Sequence, residues 1–124
     1  YKGDGLAIVE ASLFRAKFCE LLAKQKNLTN SSEYLLVGMF SLMDTILHKK
    51  MDQLVKELPL SDDVAATLVG SSTEMTPFLD LTIAYDEVRW NDMLEGANNL
   101  EIDFPSLNNF YKEARKWATD IVTQ

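Results

Sequence analysis

The sequence predicts an all-α fold, an irregular orthogonal bundle of about five to seven helices. Three observations carry that expectation. Apolar residues recur at three- and four-residue spacings along most of the chain. Helix-starting residues stand at the heads of these segments: Ser61, the Thr76-Pro77 pair, and Asp103 with Pro105. No segment alternates polar and apolar residues between hairpin turns, so no strand is expected.

The elements follow in order. From Leu6 to Lys26 the apolar residues Ala11, Phe14, Phe18, Leu21 and Leu22 keep helical period, while Arg15, Lys17, Lys24 and Lys26 fall mostly elsewhere. Residues 27–32 form a turn cluster, and Asn30 with Glu33 three residues on reads as a capping box. It would start a second helix, "EYLLVGMFSLMDTILHKK", Glu33 to Lys50, with Lys49 and Lys50 complementing its carbonyl end. "MDQLVKELPLSDD" holds a short helix stopped at Leu58-Pro59, because proline disfavours the α conformation in the residue before it. Ser61 then caps a helix with Asp62 and Asp63 in its first turn and Gly70 as its stop. Thr76 and Pro77 open another, whose buried side is Phe78, Leu79, Leu81, Ala84, Tyr85 and Val88. Trp90 opens "WNDMLEGANNL". Asp103 and Pro105 introduce the last helix, with Phe104, Leu107, Phe110 or Tyr111, Ala114, Trp117, Ala118 and Ile121 on one side.

With 124 residues, 47% hydrophobic and 25% charged, the chain is expected to fold as a single domain over residues 1–124. Its charge of −7 is concentrated: residues 57–103 hold eleven acids against one base, Arg89. Nucleic acid is bound through clusters of Lys and Arg, so a nucleic-acid partner is not expected. The acidic half reads as a solvated surface, or as a face for a basic partner. Cys19 is the only cysteine, which excludes an intramolecular disulfide and implies a reducing, cytoplasmic setting. The start, "YKGDGLAIVEASLF", lacks the pattern of a signal peptide and reads as a chain cut into near the start of a helix.

The apolar run Leu35–Leu47 is too short for a membrane span, which needs about 20 residues, and is read as a central core helix. Gly38 costs about 1 kcal/mol relative to Ala inside a helix and so implies that another helix passes close. Ser41, Asp44 and His48 share one face of that helix and are the residue types of a hydrolase triad. A triad is rejected, because one helix supplies no oxyanion hole and Ser41 and His48 lie about 10 Å apart along its axis. The expectation is that Ser41 bonds a carbonyl one turn earlier, that Asp44 bonds a buried donor or His48, and that His48 is a partly exposed cap. Asp62-Asp63 and Asp86-Glu87 are neighbours pointing about 100° apart on a helix and do not chelate together. Cys19 reads as a packed thiol, and Trp90, Trp117 and Tyr111 as core or core-edge anchors.

Four blocks in order, "RAKFCELLA", "YLLVGMFSLMDTIL", "MDQLVKELPLS" and "YDEVRW", resemble the C-terminal part of HDOD domains, the HD-related output domains of bacterial signal transduction. The resemblance runs from Leu13 to Trp90 and is greatest to the branch found behind EAL domains in cyclic-di-GMP signalling proteins. It implies an HD-like bundle in which the metal site is dismantled. Where HD phosphohydrolases carry a Gly-x-x-His-Asp motif, Gly38-Met39-Phe40 is followed by Ser41-Leu42, and the earlier histidine position falls at Ala16 and Lys17. His48 is the only histidine, so no two-histidine site is available.

The expectation is therefore a non-catalytic regulatory module with no catalytic residue, no metal and no cofactor. Its partner would be another protein or a neighbouring EAL domain, with homodimerisation compatible and no membrane insertion. The alternative is an HD-type metal-dependent phosphohydrolase with an atypical site.

Overall fold

The computed structural model describes residues 5–124. Those residues form eight helices and no strand: α1 (Gly5–Gln25), α2 (Ser31–Phe40), α3 (Met43–Leu47), α4 (Met51–Glu57), α5 (Asp62–Leu68), α6 (Thr76–Glu87), α7 (Trp90–Leu100) and α8 (Phe104–Val122). The all-α irregular bundle is as the sequence predicts, with one helix more than the upper expectation. The expectation about the start of the chain falls on residues 1–4 and lies outside the described residues. Among the described residues no helix is long and apolar enough to cross a membrane.

The central helix is α1, not the run from Glu33 to Lys50. From Ala11 to Ala23 α1 is buried on nearly every side, with α2 and α8 against it and α6 crossing it. Phe14, Phe18 and Leu22 are fully buried. Aromatic rings link three helices: Phe14 to Phe18 (5.4 Å between centroids), Phe18 to Tyr85 (5.0 Å) and Phe14 edge-on to Tyr111 (5.5 Å). Such tilted and edge-on pairs add to what ring burial alone contributes.

The apolar run breaks in two at Ser41-Leu42. The Ser41 hydroxyl donates to the Gly38 carbonyl at 2.7 Å, and the Ser41 N–H turns to the same carbonyl at 3.4 Å. That pulls the last turn of α2 into a tighter i→i+3 form and ends it. The short α3 that follows buries none of its residues, and Leu47 is exposed. Lys49 and Lys50 lie beyond α3, and Lys49 pairs instead with Glu57 at 3.2 Å.

Gly38 behaves as expected. A Cβ there would collide with the carbonyl of Arg15, whose carbon stands 2.7 Å from that position, with Ala16 Cα at 3.0 Å. The backbones of α1 and α2 therefore touch at this crossing, which only glycine permits.

Helix starts are only partly as predicted. Ser61 accepts from the Val64 N–H at 3.3 Å and Asp103 from the Ser106 N–H at 3.1 Å, both as N-caps. Gly70, with φ +99°, follows the end of α5 in the left-handed region. The capping box at Asn30 does not form: its amide bonds the Glu33 carboxylate at 3.4 Å, and the other Glu33 oxygen accepts from Ser61 at 2.7 Å, tying the starts of α2 and α5. Thr76 is the first residue of α6, not its cap. Its hydroxyl accepts from the Thr73 N–H at 2.9 Å and holds the preceding loop.

Two further expectations are corrected at the α6–α7 junction. Val88 is not on the buried side of α6: it caps the helix at φ 55° and is exposed. Trp90 is not a core anchor, being 69% exposed. The left-handed turn at Val88 redirects the chain so that Trp90 starts α7 on the outside of the bundle.

Candidate functional site

The three residues considered as a triad do not converge. Ser41 precedes α3, while Asp44 and His48 mark that helix's first turn and its C-cap. Asp44 accepts from the Thr45 N–H at 2.9 Å rather than from a buried donor or His48. His48 is exposed, in the left-handed region at φ 54°. Ser41 alone faces the interior, donating to Gly38 as expected.

What faces Ser41 is Arg15. Its Nη1 donates to the Ser41 hydroxyl at 3.2 Å, its Nε to Asp86 Oδ2 at 2.8 Å and its Nη2 to Glu87 Oε2 at 3.3 Å. The Arg15 and Asp86 side chains are 4% and 2% exposed. Arg115 reaches the second Asp86 oxygen at 3.5 Å, its guanidinium lying 4.1 Å from the centre of the Phe14 ring and 5.3 Å from that of Tyr111. The adjacent acids Asp86 and Glu87 do converge on one cation, because the forked guanidinium spans the angle between them at the end of α6.

This cluster stands where the resemblance puts the metal-binding positions, at Ser41 and beside Ala16. A guanidinium has only donors and a permanent charge, so it cannot be a ligand, and at 3.2 Å from Ser41 it repels a second cation there. Among the described residues no group of three or more His, Cys, Asp or Glu side chains is arranged to hold a metal ion. Cys19 is fully buried, and burial pushes its thiol up to about 12, partly opposed by a hydrogen bond with Thr82. It is a packed thiol as expected.

Two grooves open on the surface. One, of about 420 Å³, runs between α6 and α7 and is polar, with Asp80, Asp92 and Glu95 around Arg89. Desolvation raises the Asp80 carboxyl, Asp92 adding to the effect and Arg89 opposing it. The other, of about 430 Å³, lies between α7 and α8 and is apolar. Tyr85, Met93 and Tyr111 line it beside the exposed Val88, Trp90, Leu94 and Phe104. Desolvation alone raises the Tyr85 hydroxyl.

The helical period itself marks Arg15 as a residue of the core face. Arg15 is four residues after Ala11 and seven before Leu22, so it sits on the apolar stripe of α1 rather than beside it. Trp90 offered no such signal, since its exposure depends on the turn at Val88.

These features define an all-α bundle organised around a buried arginine–aspartate pair, with an apolar groove on its surface. No family model matches the chain, and no solved structure matches it. The chain is 36% identical over 115 residues, 93% of its length, to YuxH of Bacillus subtilis, an uncharacterised protein. It is 32% identical over 111 residues, 89% of its length, to the cyclic di-GMP phosphodiesterase CdgJ of Vibrio cholerae. The matched segments are 28% and 26% of those proteins, so the chain spans about a quarter of the relatives' length.

Proposed function

We propose that the chain is an HDOD-type regulatory module of a cyclic-di-GMP signalling protein, cytoplasmic and without catalysis of its own, working through contacts with a protein partner or a neighbouring EAL domain. Its similarity to part of a cyclic di-GMP phosphodiesterase supports the signalling link. The observation that carries the non-catalytic reading is the Arg15 guanidinium on Ser41, held by Asp86 and Glu87. A fixed organic cation at that position supplies the charge that organises the surrounding carboxylates without supplying a Lewis acid.

The test is hydrolysis of cyclic di-GMP and of nucleotide monophosphates by the purified chain, with and without added manganese, iron or zinc, alongside elemental analysis. The expected result is no turnover and no stoichiometric metal. Turnover that depends on metal would favour an HD-type phosphohydrolase with an atypical site. Titration of the chain against the EAL domain of its parent tests the contact reading, with saturable binding expected.

A further inference from the structure

We propose that residues 43–57, α3 and α4 with the turn between them, form a flap that opens as one unit while the rest of the bundle stays folded. The inference goes beyond the regulatory reading and does not depend on the link to cyclic di-GMP.

The flap is bonded to itself and to little else. Among the described residues, no hydrogen bond or ion pair runs from residues 43–57 to any residue outside 42–58. At its edges the Ile46 N–H donates to the Leu42 carbonyl at 3.0 Å, and the Leu58 N–H to that of Leu54 at 3.1 Å. Lys49 and Gln53 both donate to the Glu57 carboxylate, at 3.2 and 3.4 Å, so its longer side-chain bonds close within it. The elements before and after it are tied to the bundle directly. Ser12 on α1 donates to the Met39 carbonyl of α2 at 2.6 Å, and Ser61 at the start of α5 donates to Glu33 of α2 at 2.7 Å. Those bonds bypass the flap and survive its opening.

Packing follows the same division. Leu54 is the one buried side chain of residues 43–57. The contiguous apolar core passes from Val37 to Leu60 and Val64 with no residue in between, so Leu54 is buried apart from it. Helix α3 rests on α1 and α2, and α4 on α5. Burying one leucine offsets only part of the conformational entropy lost in ordering residues 43–57.

Both ends can act as hinges. Helix α2 stops at Ser41, and Leu42 lies between helices at φ −111° and ψ 3°. At the far end Leu58 is extended, at φ −103° and ψ 146°, before Pro59. Residues at the ends of elements absorb the dihedral changes of such an opening. The first hinge begins at the residue that accepts from Arg15, so the flap starts beside the buried Arg15–Asp86 pair. A unit that opens at small cost is one whose population a binding partner can shift, through the surfaces of α1, α2 and α5 beneath it.

The experiment is native-state amide hydrogen exchange of the purified chain, read by NMR at several urea concentrations below the unfolding transition. The protected amides of α3 and of α4 should share one opening free energy and one shallow urea slope. They should be roughly 100-fold less protected than amides in the middle of α1. Leu54→Ala should speed exchange in both helices by one common factor, roughly 10-fold or more. A urea slope in α3 and α4 equal to that of α1 would mean that the segment opens only with the whole bundle, and would overturn the proposal. A response to Leu54→Ala in α4 without one in α3 would overturn it too, because the two helices would then open separately. The slopes are read from the unaltered chain, so they decide the matter even where Leu54→Ala does not fold.

Discussion

Arg15 and Asp86, 71 residues apart in the chain, meet through a 2.8 Å bond between Nε and Oδ2 in the interior of the bundle. The pair joins the central α1 to the end of α6, and through Ser41 it also touches the turn that terminates α2. Taking two charges out of water is costly, and what offsets the cost here is the number of bonds each charge makes. Ser41 and Glu87 accept from the guanidinium, and Arg115 reaches the carboxylate from the other side.

Removing one partner should therefore be worse than removing both. Asp86→Ala or Arg15→Ala takes from a buried charge its shortest and most buried ionic partner and should cost about 3–5 kcal/mol. The double change Arg15→Met, Asp86→Leu, which fills the space with apolar atoms, should recover most of that loss. Urea unfolding of the three variants measures both terms. A double variant that is as unstable as the sum of the single losses would show that the pair acts as two independent residues.

Gly38 and Gly96, both inside helices, should separate by what they touch. Gly38→Ala drives a methyl into the backbone of α1 at Arg15, which cannot rotate aside, and should cost about 2–3 kcal/mol even after the gain in helix propensity. Gly96→Ala meets the Leu81 side chain, with Cδ1 2.9 Å and Cβ 3.2 Å from the new methyl. A rotamer change can absorb much of that contact, so the net effect should stay within about 1 kcal/mol. Thermal or urea denaturation of the two variants gives the order directly.

Helix class was legible in the sequence because it is written locally. Ser61 and Asp103 cap their helices and Gly70 follows one in the left-handed region, each fixed by a hydrogen bond or dihedral within a few residues. The break at Ser41 was not legible, since hydrophobicity carries no record of a hydroxyl taking the Gly38 carbonyl. Nor does local pattern reveal that Asp86 answers Arg15, because that pairing is decided by how α6 crosses α1. The candidate site is thus readable only in outline: Ser41 stands out for the residue it replaces, while Arg15 reads as one of four basic residues that fall mostly off the apolar positions.

Cys19 should resist thiol reagents in the native state. Its pKa of about 12 leaves almost no thiolate near neutral pH, and its side chain is fully buried against Thr82. Alkylation with iodoacetamide should proceed only at the rate at which the core opens, and quickly in urea. Rapid labelling of the native chain, followed by mass spectrometry, would contradict this packing of α1 against α6.

Acid sensitivity at the start of α8 has a defined sign. The Asp103 carboxyl lies below its ordinary 3.8 because the Ser106 hydroxyl and then the Ser106 N–H donate to it. A carboxylate whose folded pKa is lowered contributes stability that is present above the unfolded value and is lost as pH falls through the folded one. Asp103→Asn keeps an oxygen that can cap the helix but cannot titrate. The native chain should thus be more stable than Asp103→Asn at neutral pH, and the gap should close below 3.8 as Asp103 takes up its proton. Ser106→Ala removes the largest cause of the shift and should move the closing point upwards towards the ordinary carboxylate value. Urea midpoints of the three proteins across the acid range measure this, and a gap that is independent of pH would assign the cap to hydrogen bonding without charge.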